Sequence, residues 1–325
     1  MHAGDTSQVG KMRVSREARE AVRGAGIDLG FSLVGFAPAR EPAGSRRLLD
    51  WLQLGYEGPM AWMARDPHAR IDPERFLPGV RTVVVVALRY KHRAPPPAPD
   101  APRISCYAWG DDYHAVMSRR LHDFDYRIRA ILGEPVRTRL ACDTSPVMDK
   151  AWAAAGGIGW LGKNACLIHP REGSWLFLGE IFLDRELPPD APLPDRCGTC
   201  RRCLDACPTG ALAGPYLLDA ARCISALTIE HRGDFTAWEE AAVGDWLAGC
   251  DICQDVCPWN RRAPVSAENE FAPRPALVNR LTAEWAGLND ASCRDAVQGT
   301  ALTRIKPAMM RRNAQSLLQN RPPKE

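Results

Sequence analysis

Two stretches in the first half of the chain carry apolar residues at helical spacing. One is predicted to form a helix with its N-cap at Ser15, and the other an amphipathic helix over 112–132. The residues of the second helix that are predicted to face inward are Val116, Leu121, Phe124, Ile128 and Ile131. A shorter helix is predicted within 145–157, where it ends at two glycines.

Three other stretches have the pattern of strands. They are FSLVGFAP (31–38), TVVVVALRY (82–90) and SWLFLGEIFL (174–183). The β-branched run of the second is typical of a strand that is buried on both faces. Because helices alternate with strands, the sequence predicts an α/β (α+β) domain.

The proline-rich segment ELPPDAPLPD (186–195) predicts a domain boundary, since proline cannot continue a helix or a central strand. We therefore expect three parts. They are an α/β domain over 1–185, a cysteine-rich module over 186–262 and a helical, basic tail over 263–325.

Composition and charge indicate where the protein is expected to act and what its cysteines are expected to do. The 325 residues carry a net charge of +3 with a pI of about 8.3, which allows a polyanionic partner without requiring one. No apolar run is long enough to span a membrane and the N-terminus has no signal-peptide core, so we expect a cytoplasmic protein. In that reducing compartment, twelve cysteines are more typical of metal ligands than of disulfides.

The first cysteine motif reads C-x2-C-x2-C-x3-C-P and comprises Cys197, Cys200, Cys203 and Cys207. This spacing places three thiolates around one [4Fe–4S] cluster, and the fourth, before proline, ligates a second cluster. The alternative is a zinc site, but zinc modules pair two C-x2-C arms instead of using this run.

The second motif is one cysteine short, since Leu247 stands where its first ligand would fall. Two clusters need eight thiolates, and the two motifs supply seven. The eighth must come from Cys106, Cys142, Cys166, Cys223 or Cys293. Cys223 is the economical choice, because it lies between the motifs.

The two clusters therefore have predicted ligand sets that cross between the motifs. The first set is Cys197, Cys200, Cys203 and Cys257, and the second is Cys207, Cys223, Cys250 and Cys253. Each cluster then has a full set of thiolates and no iron open to a substrate. We expect the clusters to carry electrons to chemistry elsewhere.

One further motif is incomplete. Asp112-Tyr113-His114 partly matches the D-x-H-x-x-G signature of base-off cobalamin enzymes, but Met117 stands in the place of the glycine. We therefore interpret His114 as a residue of the helix surface. No glycine-rich dinucleotide motif or P-loop is present.

Several stretches resemble the epoxyqueuosine reductase family. They are GYEGPMAWM (55–63), YAWGDDYHAVMSRRL (107–121), the segment 142–184 with IGWLGKN and GSWLFLGEI, and CISALTIEHRG (223–233). With the strand at 82–90 and both cysteine motifs, the resemblance covers nearly the whole chain. The cysteine that this family carries between the motifs matches Cys223.

The resemblance implies a cobalamin-dependent enzyme that reduces the epoxide of epoxyqueuosine, at the wobble position of tRNA, to the alkene of queuosine. It implies that two [4Fe–4S] clusters take electrons from an external donor and pass them to cobalamin. Asp143 matches the proton-donor position of the family, and burial against the cofactor would raise its pKa. Without the resemblance, an N-cap of the helix within 145–157 is the simpler interpretation of Asp143.

Other residues in these motifs are expected to contact cobalamin, since glycines allow close approach and polar groups can hold its amide side chains. They are Gly58, Gly159, Lys163, Ser174, Trp175 and Ser225, with Trp160 and Trp175 as walls. The alternative is ordinary use in turns and packing.

Binding of tRNA is expected to use phosphate contacts and a pocket for the splayed-out base. The basic residues proposed for it are Arg137, Arg139, Arg201, Arg202, Arg261, Arg262, Arg304, Lys306, Arg311 and Arg312. We expect a monomer that does not contact a membrane.

Two other functions stay open at this point. A reductive dehalogenase-like enzyme would use the same cofactors, but such enzymes usually carry export signals. A non-catalytic electron-transfer protein would bind no corrinoid.

Overall fold

The computed structural model of the chain describes residues 6–96, 98–133 and 135–320. Its α-helices, α1 to α14 in chain order, are Thr6–Asp28, Arg47–Gln53, Pro67–Ile71, Pro73–Phe76, Tyr113–Leu132, Asp149–Ala155, Arg202–Ala206, Ile224–Ile229, Ala237–Ala242, Ile252–Asp255, Pro275–Val278, Thr282–Gly287, Asp290–Val297 and Pro307–Gln319. Its strands, β1 to β10, are Leu33–Pro38, Thr82–Arg89, Arg103–Ile104, Thr138–Ala141, Trp160–Leu161, Leu167–Ile168, Leu176–Leu183, Leu212–Gly214, Leu217–Leu218 and Trp246–Ala248.

A four-stranded sheet in the order β1-β2-β7-β4 is the centre of the N-terminal part. Every neighbouring pair in it is antiparallel, so that Val84 of β2 faces Phe36 of β1 on one side and Ile181 of β7 on the other. The three predicted strands are confirmed as β1, β2 and β7. The sequence analysis allowed an α/β or an α+β fold, and the antiparallel pairing of this sheet is typical of α+β.

Strand β2 is buried on both faces, as its β-branched run predicted. Successive side chains alternate between two cores because a strand has a period of two. One core contains Val84, Val86 and Leu88 with Phe124 of α5, and the other contains Val83, Val85 and Ala87 with Trp152 of α6. The sheet is therefore covered by helices on both sides.

Helix α5 confirms the predicted amphipathic helix. Asp112 caps its first turn by accepting the N–H of His114 at 3.0 Å. Four of the predicted inward residues are buried, and Ile131 packs partly buried against the same core. The N-cap prediction for Ser15 is wrong, because α1 begins at Thr6 and Ser15 lies inside it.

The proline-rich segment 186–195 is packed against the N-terminal sheet. Asp190 accepts the backbone N–H of Phe36 at 3.0 Å and forms ion pairs with Arg19 and Arg23, while Leu187 is buried. The boundary at 185 stays a prediction, but the segment that follows it is anchored.

A second core joins three distant parts of the chain. Ile104 precedes the cysteines in sequence, Leu247 lies among them, and Trp285 and Met310 belong to the helices of the tail. Strand β10 also pairs in parallel with β3. Among the described residues, no helix is both long and apolar enough to cross a membrane.

Asn313 of α14 is a polar anchor of this second core. It is fully buried and its Nδ2 donates to the carbonyl oxygens of Thr228 and Leu247, both at 2.9 Å. Asn313→Ala leaves both carbonyls buried and unpaired, so we expect a loss of about 2–4 kcal/mol in the free energy of unfolding. Anaerobic urea denaturation measures this. Gln315→Ala, an exposed change on the same helix, should have no effect, and equal midpoints for the two variants would contradict the prediction.

Candidate active site and cluster module

The loop after β4 presents Asp143 in an unusual backbone conformation. Its φ is 55°, a left-handed value that costs a non-glycine residue roughly 1–3 kcal/mol. The backbone N–H of Asp143 donates to the Asp149 carboxylate at 3.0 Å, which holds the loop in this conformation. Helix α6 begins at Asp149 with Met148 as its N-cap, so the interpretation of Asp143 as that cap is wrong.

The carboxylate of Asp143 accepts two hydrogen bonds from α5. The Tyr113 hydroxyl donates to its Oδ2 at 2.8 Å, and His114 Nε2 lies 3.1 Å from the same oxygen. His114 Nδ1 lies 2.7 Å from Asp112 Oδ1, so the imidazole bridges two carboxylates. The ring of Tyr113 stacks between His114 and Phe177, with centroid distances of 4.0 and 4.3 Å.

These contacts set the charges of the site. Burial favours the neutral form of Asp143, but the hydrogen bonds from His114 and Tyr113 outweigh it and lower the pKa of the carboxyl. Burial opposes protonation of His114, yet its bonds to Asp143 and Asp112 raise the pKa of the imidazole. Without cofactor the pKa of Asp143 thus lies below its ordinary value and that of His114 above it, a combination that favours a His114–Asp143 ion pair. The raised pKa of Asp143 against the cofactor stays a prediction.

The interpretation of His114 as a surface residue is also wrong. The sequence carries a signal for this contact, since Asp112 and His114 stand two positions apart at a helix start, although Met117 breaks the longer motif.

A second carboxyl pair lies beneath Asp143 and was missed by the sequence analysis. Glu180 of β7 is fully buried, and among the described residues no N–H or hydroxyl group donates to it. Burial, followed by the charge of Asp149, raises the pKa of Glu180 well above its usual range. Burial, followed by the charge of Asp143, also raises the pKa of Asp149, whose carboxyl accepts the Asp143 N–H.

A cavity of about 1460 Å³ opens in front of Asp143. Asp143 and Tyr113 line one part of it, and Trp160, Asp195 and Tyr216 line another. Its wall is mainly apolar, with Trp51, Leu54, Trp62, Met63, Leu176 and Leu217 among the contributors. The size and chemistry suit a large, partly apolar ligand.

Four of the cluster-module thiols form a first group behind this cavity. The Cys257 thiol interacts electrostatically with the thiols of Cys197 and Cys203. The Cys203 thiol interacts in the same way with that of Cys200. Trp160 packs against Cys257 and Cys197 while also lining the cavity. The group has the same members as the first predicted ligand set, and it lies directly behind one cavity wall.

The other thiols form a second group. The Cys250 thiol interacts electrostatically with those of Cys223 and Cys207. The Cys253 thiol interacts with those of Cys250 and Cys223. Cys166 also joins this group, through a hydrogen bond with Cys253. Within the described ranges, no group of three or more His, Cys, Asp or Glu side chains is arranged to hold a single metal ion, so the ligand sets stay predictions.

The two glycines proposed to approach cobalamin instead approach protein backbone. A Cβ at Gly58 would lie 2.5 Å from the backbone nitrogen of Ala221, and one at Gly159 would lie 2.4 Å from the carbonyl oxygen of Ile168. Neither glycine lines the cavity. Their close contacts are explained by packing, and a contact with cobalamin stays a prediction.

Of the other proposed cobalamin contacts, Trp160 lines the cavity, whereas four do not: Lys163, Ser174, Trp175 and Ser225. Lys163 Nζ donates to the carbonyl oxygens of Gly198 and Cys200, at 2.5 and 3.0 Å, and so supports the first cysteine loop. Ser174 donates to Gln254, Trp175 is buried in the core of the sheet, and Ser225 lies in the first turn of α8.

Several of the basic residues proposed for tRNA are engaged within the protein. Arg137 pairs with Asp184, Arg304 with Glu230 and Arg311 with Asp290. Arg201 pairs with Asp205, Arg139 donates to the Phe76 carbonyl, and Arg312 donates to the His231 carbonyl. The charge of the four arginines that pair with carboxylates is thus partly neutralised, while Arg139 and Arg312 use donors within the protein.

The His114–Asp143 pair gives a titration that can be measured. The contribution of the raised pKa of His114 to folding is present below its ordinary value of 6.5 and is lost as pH rises through the raised pKa. NMR titration of the histidine ring should show this pKa falling in Asp143→Asn, because a carboxylate acceptor is lost. Asp123→Asn, an exposed change on α5, should leave it in place; equal values in both variants would contradict the bridge.

The eighth cluster ligand can be tested by iron content. Cys223→Ala should lower iron from about eight to about four atoms per chain, because one cluster loses a thiolate. Cys166→Ala and Cys293→Ala should keep both clusters. Loss of a cluster in Cys166→Ala with retention in Cys223→Ala would assign the ligand to Cys166 instead.

Two family models match the chain. "Epoxyqueuosine reductase QueG, DUF1730" matches residues 70–144, which include His114 and Asp143. "4Fe-4S double cluster binding domain" matches residues 196–260, which include both cysteine motifs. The segment 196–260 is a double-cluster [4Fe–4S] domain.

Proteins named epoxyqueuosine reductase are similar to this chain over almost its full length. The one from Synechococcus sp. (strain RCC307) is 41% identical and the match covers 94% of this chain and 95% of that protein. The one from Gloeobacter violaceus is 45% identical, over 89% of this chain and 92% of that protein.

Solved structures of epoxyqueuosine reductases are also similar to this chain. A selenomethionine-labelled epoxyqueuosine reductase superposes with a TM-score of 0.88 at 30% identity, covering 94% of this chain and 82% of that one. An epoxyqueuosine reductase with an epoxyqueuosine-modified tRNA-Tyr stem loop gives a TM-score of 0.84 at 30% identity, over 94% and 81%. This chain belongs to the epoxyqueuosine reductase family.

Proposed function

We propose that this protein reduces epoxyqueuosine to queuosine at the wobble position of tRNA. The observation that carries the proposal is Asp143, held by Tyr113 and His114 at the wall of a large cavity that also borders the cluster domain. The relatives support it, since they bear the name of this activity and one was solved with an epoxyqueuosine-modified stem loop.

The reaction requires both electrons and protons. An epoxide becomes an alkene and water when both C–O bonds break, which consumes two electrons and two protons. A one-electron carrier alone supplies neither the protons nor a site for the oxygen. The proposed active site must therefore combine cluster-borne electrons with a group that protonates the leaving oxygen.

Cobalamin fits the cavity. Its volume of about 1460 Å³ exceeds the ~300–1,000 Å³ usual for small-molecule sites. Trp160 on its wall has an indole N–H that no described residue accepts, and the amide and phosphate oxygens of a corrinoid are suitable acceptors. When bound, cobalamin supplies low-valent cobalt as the reductant. Further contacts with cobalamin are proposed only because the residues lie in motifs that resemble the family. These residues are Gly58, Gly159, Lys163, Ser174, Trp175 and Ser225.

The cluster domain supplies the electrons in this proposal. The first thiol group lies behind Trp160, which also lines the cavity, so its cluster would be the nearer of the two. An external protein or small-molecule donor would reduce the more distant cluster. We propose the crossed ligand sets given above for the two clusters.

Asp143 and His114 handle the protons. Asp143 faces the cavity and protonates the opening oxygen once cofactor and substrate have displaced water from it, because desolvation raises the pKa of a carboxyl. The His114 cation, hydrogen-bonded to Asp143 Oδ2, can return a proton to it. Asp112 stabilises that cation from the other ring nitrogen. The pair thus holds one transferable proton, and the second proton that the reaction consumes is taken up from solvent.

The remaining proposals follow from the substrate. A tRNA-modifying protein with many reduced thiols would act in the cytoplasm, as a monomer with an N-terminal catalytic part (1–185), a cluster module (186–262) and a tail (263–325). A non-catalytic electron carrier predicts no cobalamin binding, so uptake of added cobalamin separates the two functions.

Replacement of the proton donor tests the proposal. Asp143→Asn should lower turnover of epoxyqueuosine-containing stem loop about 10²- to 10⁴-fold, the usual contribution of a general acid. Absorption spectra and iron content should show that cobalamin and both clusters are retained. Asp123→Asn should keep full turnover. Full activity of Asp143→Asn would remove Asp143 as the donor.

A further inference from the structure

Arg70 is a half-buried cation without a protein partner. It lies near the end of α3 and lines the cavity in front of Asp143. Among the described residues, none forms a hydrogen bond or an ion pair with its guanidinium, and its Nε is buried and unsatisfied. Such a charge costs free energy in the absence of a ligand, because it has lost water without gaining an acceptor.

Other arginines of the protein, unlike Arg70, have ion-pair or hydrogen-bond partners among the described residues. Arg75, on the next helix, pairs with Asp66, and Arg139 donates to the Phe76 carbonyl. Arg304 pairs with Glu230. Arg70 instead lies over the ring of Trp62, 5.3 Å from its centroid, which fixes the plane of the guanidinium without using its donors.

Its surroundings place Arg70 beside the reacting group. The carboxylates of Asp149 and Asp143 are the charges that act on it, although neither pairs with it. Arg304 lies 5.9 Å from the same Trp62 ring, with about half of its side chain exposed at 47%. Two cations therefore lie over the Trp62 ring, Arg70 in the cavity and Arg304 at the surface.

We propose that Arg70 binds a phosphodiester of the substrate RNA next to the nucleotide that reaches Asp143, with Trp62 as its rigid support. This inference rests on the proposed function. Arginine recognises a phosphate through two parallel N–H donors, and all donors of Arg70 are free of protein acceptors among the described residues. A nucleotide whose base is inserted toward Asp143 carries its own phosphate along the cavity wall.

The same chemistry has a second source, because the nucleotide tail of cobalamin also contains a phosphodiester. We favour RNA, since Arg304 extends the positive charge from the cavity to the protein surface, where only a macromolecule would follow it. The experiment separates the two sources.

The probe is an unmodified tRNA-Tyr anticodon stem loop, titrated anaerobically with the cluster-loaded protein at several salt concentrations. Arg70→Gln should weaken binding about tenfold and reduce the slope of log affinity against log salt by about 0.7–0.9, the value for one lost phosphate contact. Arg70→Lys keeps the charge but loses the paired donors, so it should weaken binding less and keep the slope.

Arg127→Gln is the matched control, since it removes the same charge from an exposed position on α5, roughly 20 Å along the helix from Tyr113. It should leave affinity and slope close to native. The thermal midpoint of Arg70→Gln should not fall, because an unpaired half-buried charge is removed, so misfolding is excluded as the cause.

The outcomes are distinguishable. Native affinity and slope in Arg70→Gln would overturn the inference while leaving the proposed function intact. Loss of cobalamin uptake, read from the absorption spectrum, with native RNA binding would assign the phosphodiester to the cofactor and overturn RNA as its source. Failure of the native protein to bind the stem loop would overturn the proposed function itself, and this inference with it.

Discussion

The hydrogen bond from the Asp143 N–H to the Asp149 carboxylate is the contact on which the active-site geometry depends. It stabilises a left-handed backbone that a non-glycine residue otherwise avoids. Glu180 lies at the centre of the sheet beside Asp149, and burial raises the pKa of both carboxyls. The orientation of Asp143 toward His114 is therefore held from below by a buried carboxyl pair.

Two cores place the cavity between the cluster domain and the helix that carries Tyr113 and His114. The first core surrounds the antiparallel sheet and holds Tyr113 against Phe177, so that α5 presents His114 at the cavity. The second joins Ile104 to the cysteine module and the tail. Trp160 links the cluster domain to the cavity, because it packs on Cys257 and also lines the cavity. The distance from cluster to cavity is thus set by core packing and not by a flexible loop.

The features that the sequence predicted are local. The β-branched run of β2 and the apolar stripe of α5 specify their elements within one segment, and the cysteine spacing specifies cluster chemistry in the same way. The features it missed join distant residues. His114 meets Asp143 across 29 positions, and Arg70 is distinctive only because no acceptor reaches it. The packing role of Gly58 is another such feature, since its lack of a side chain leaves room for Ala221, far along the chain.

The contacts of Asn313 bear on how the protein is assembled in the cell. Its amide binds the carbonyl oxygens of Thr228 and Leu247, which lie between Cys223 and Cys250 in the sequence, from the last described helix. During synthesis from the N-terminus, Thr228 and Leu247 leave the ribosome before Asn313. Their carbonyl oxygens can therefore gain this amide as a partner only after α14 has emerged, which makes the packing of the cysteine module depend on a helix made well after it.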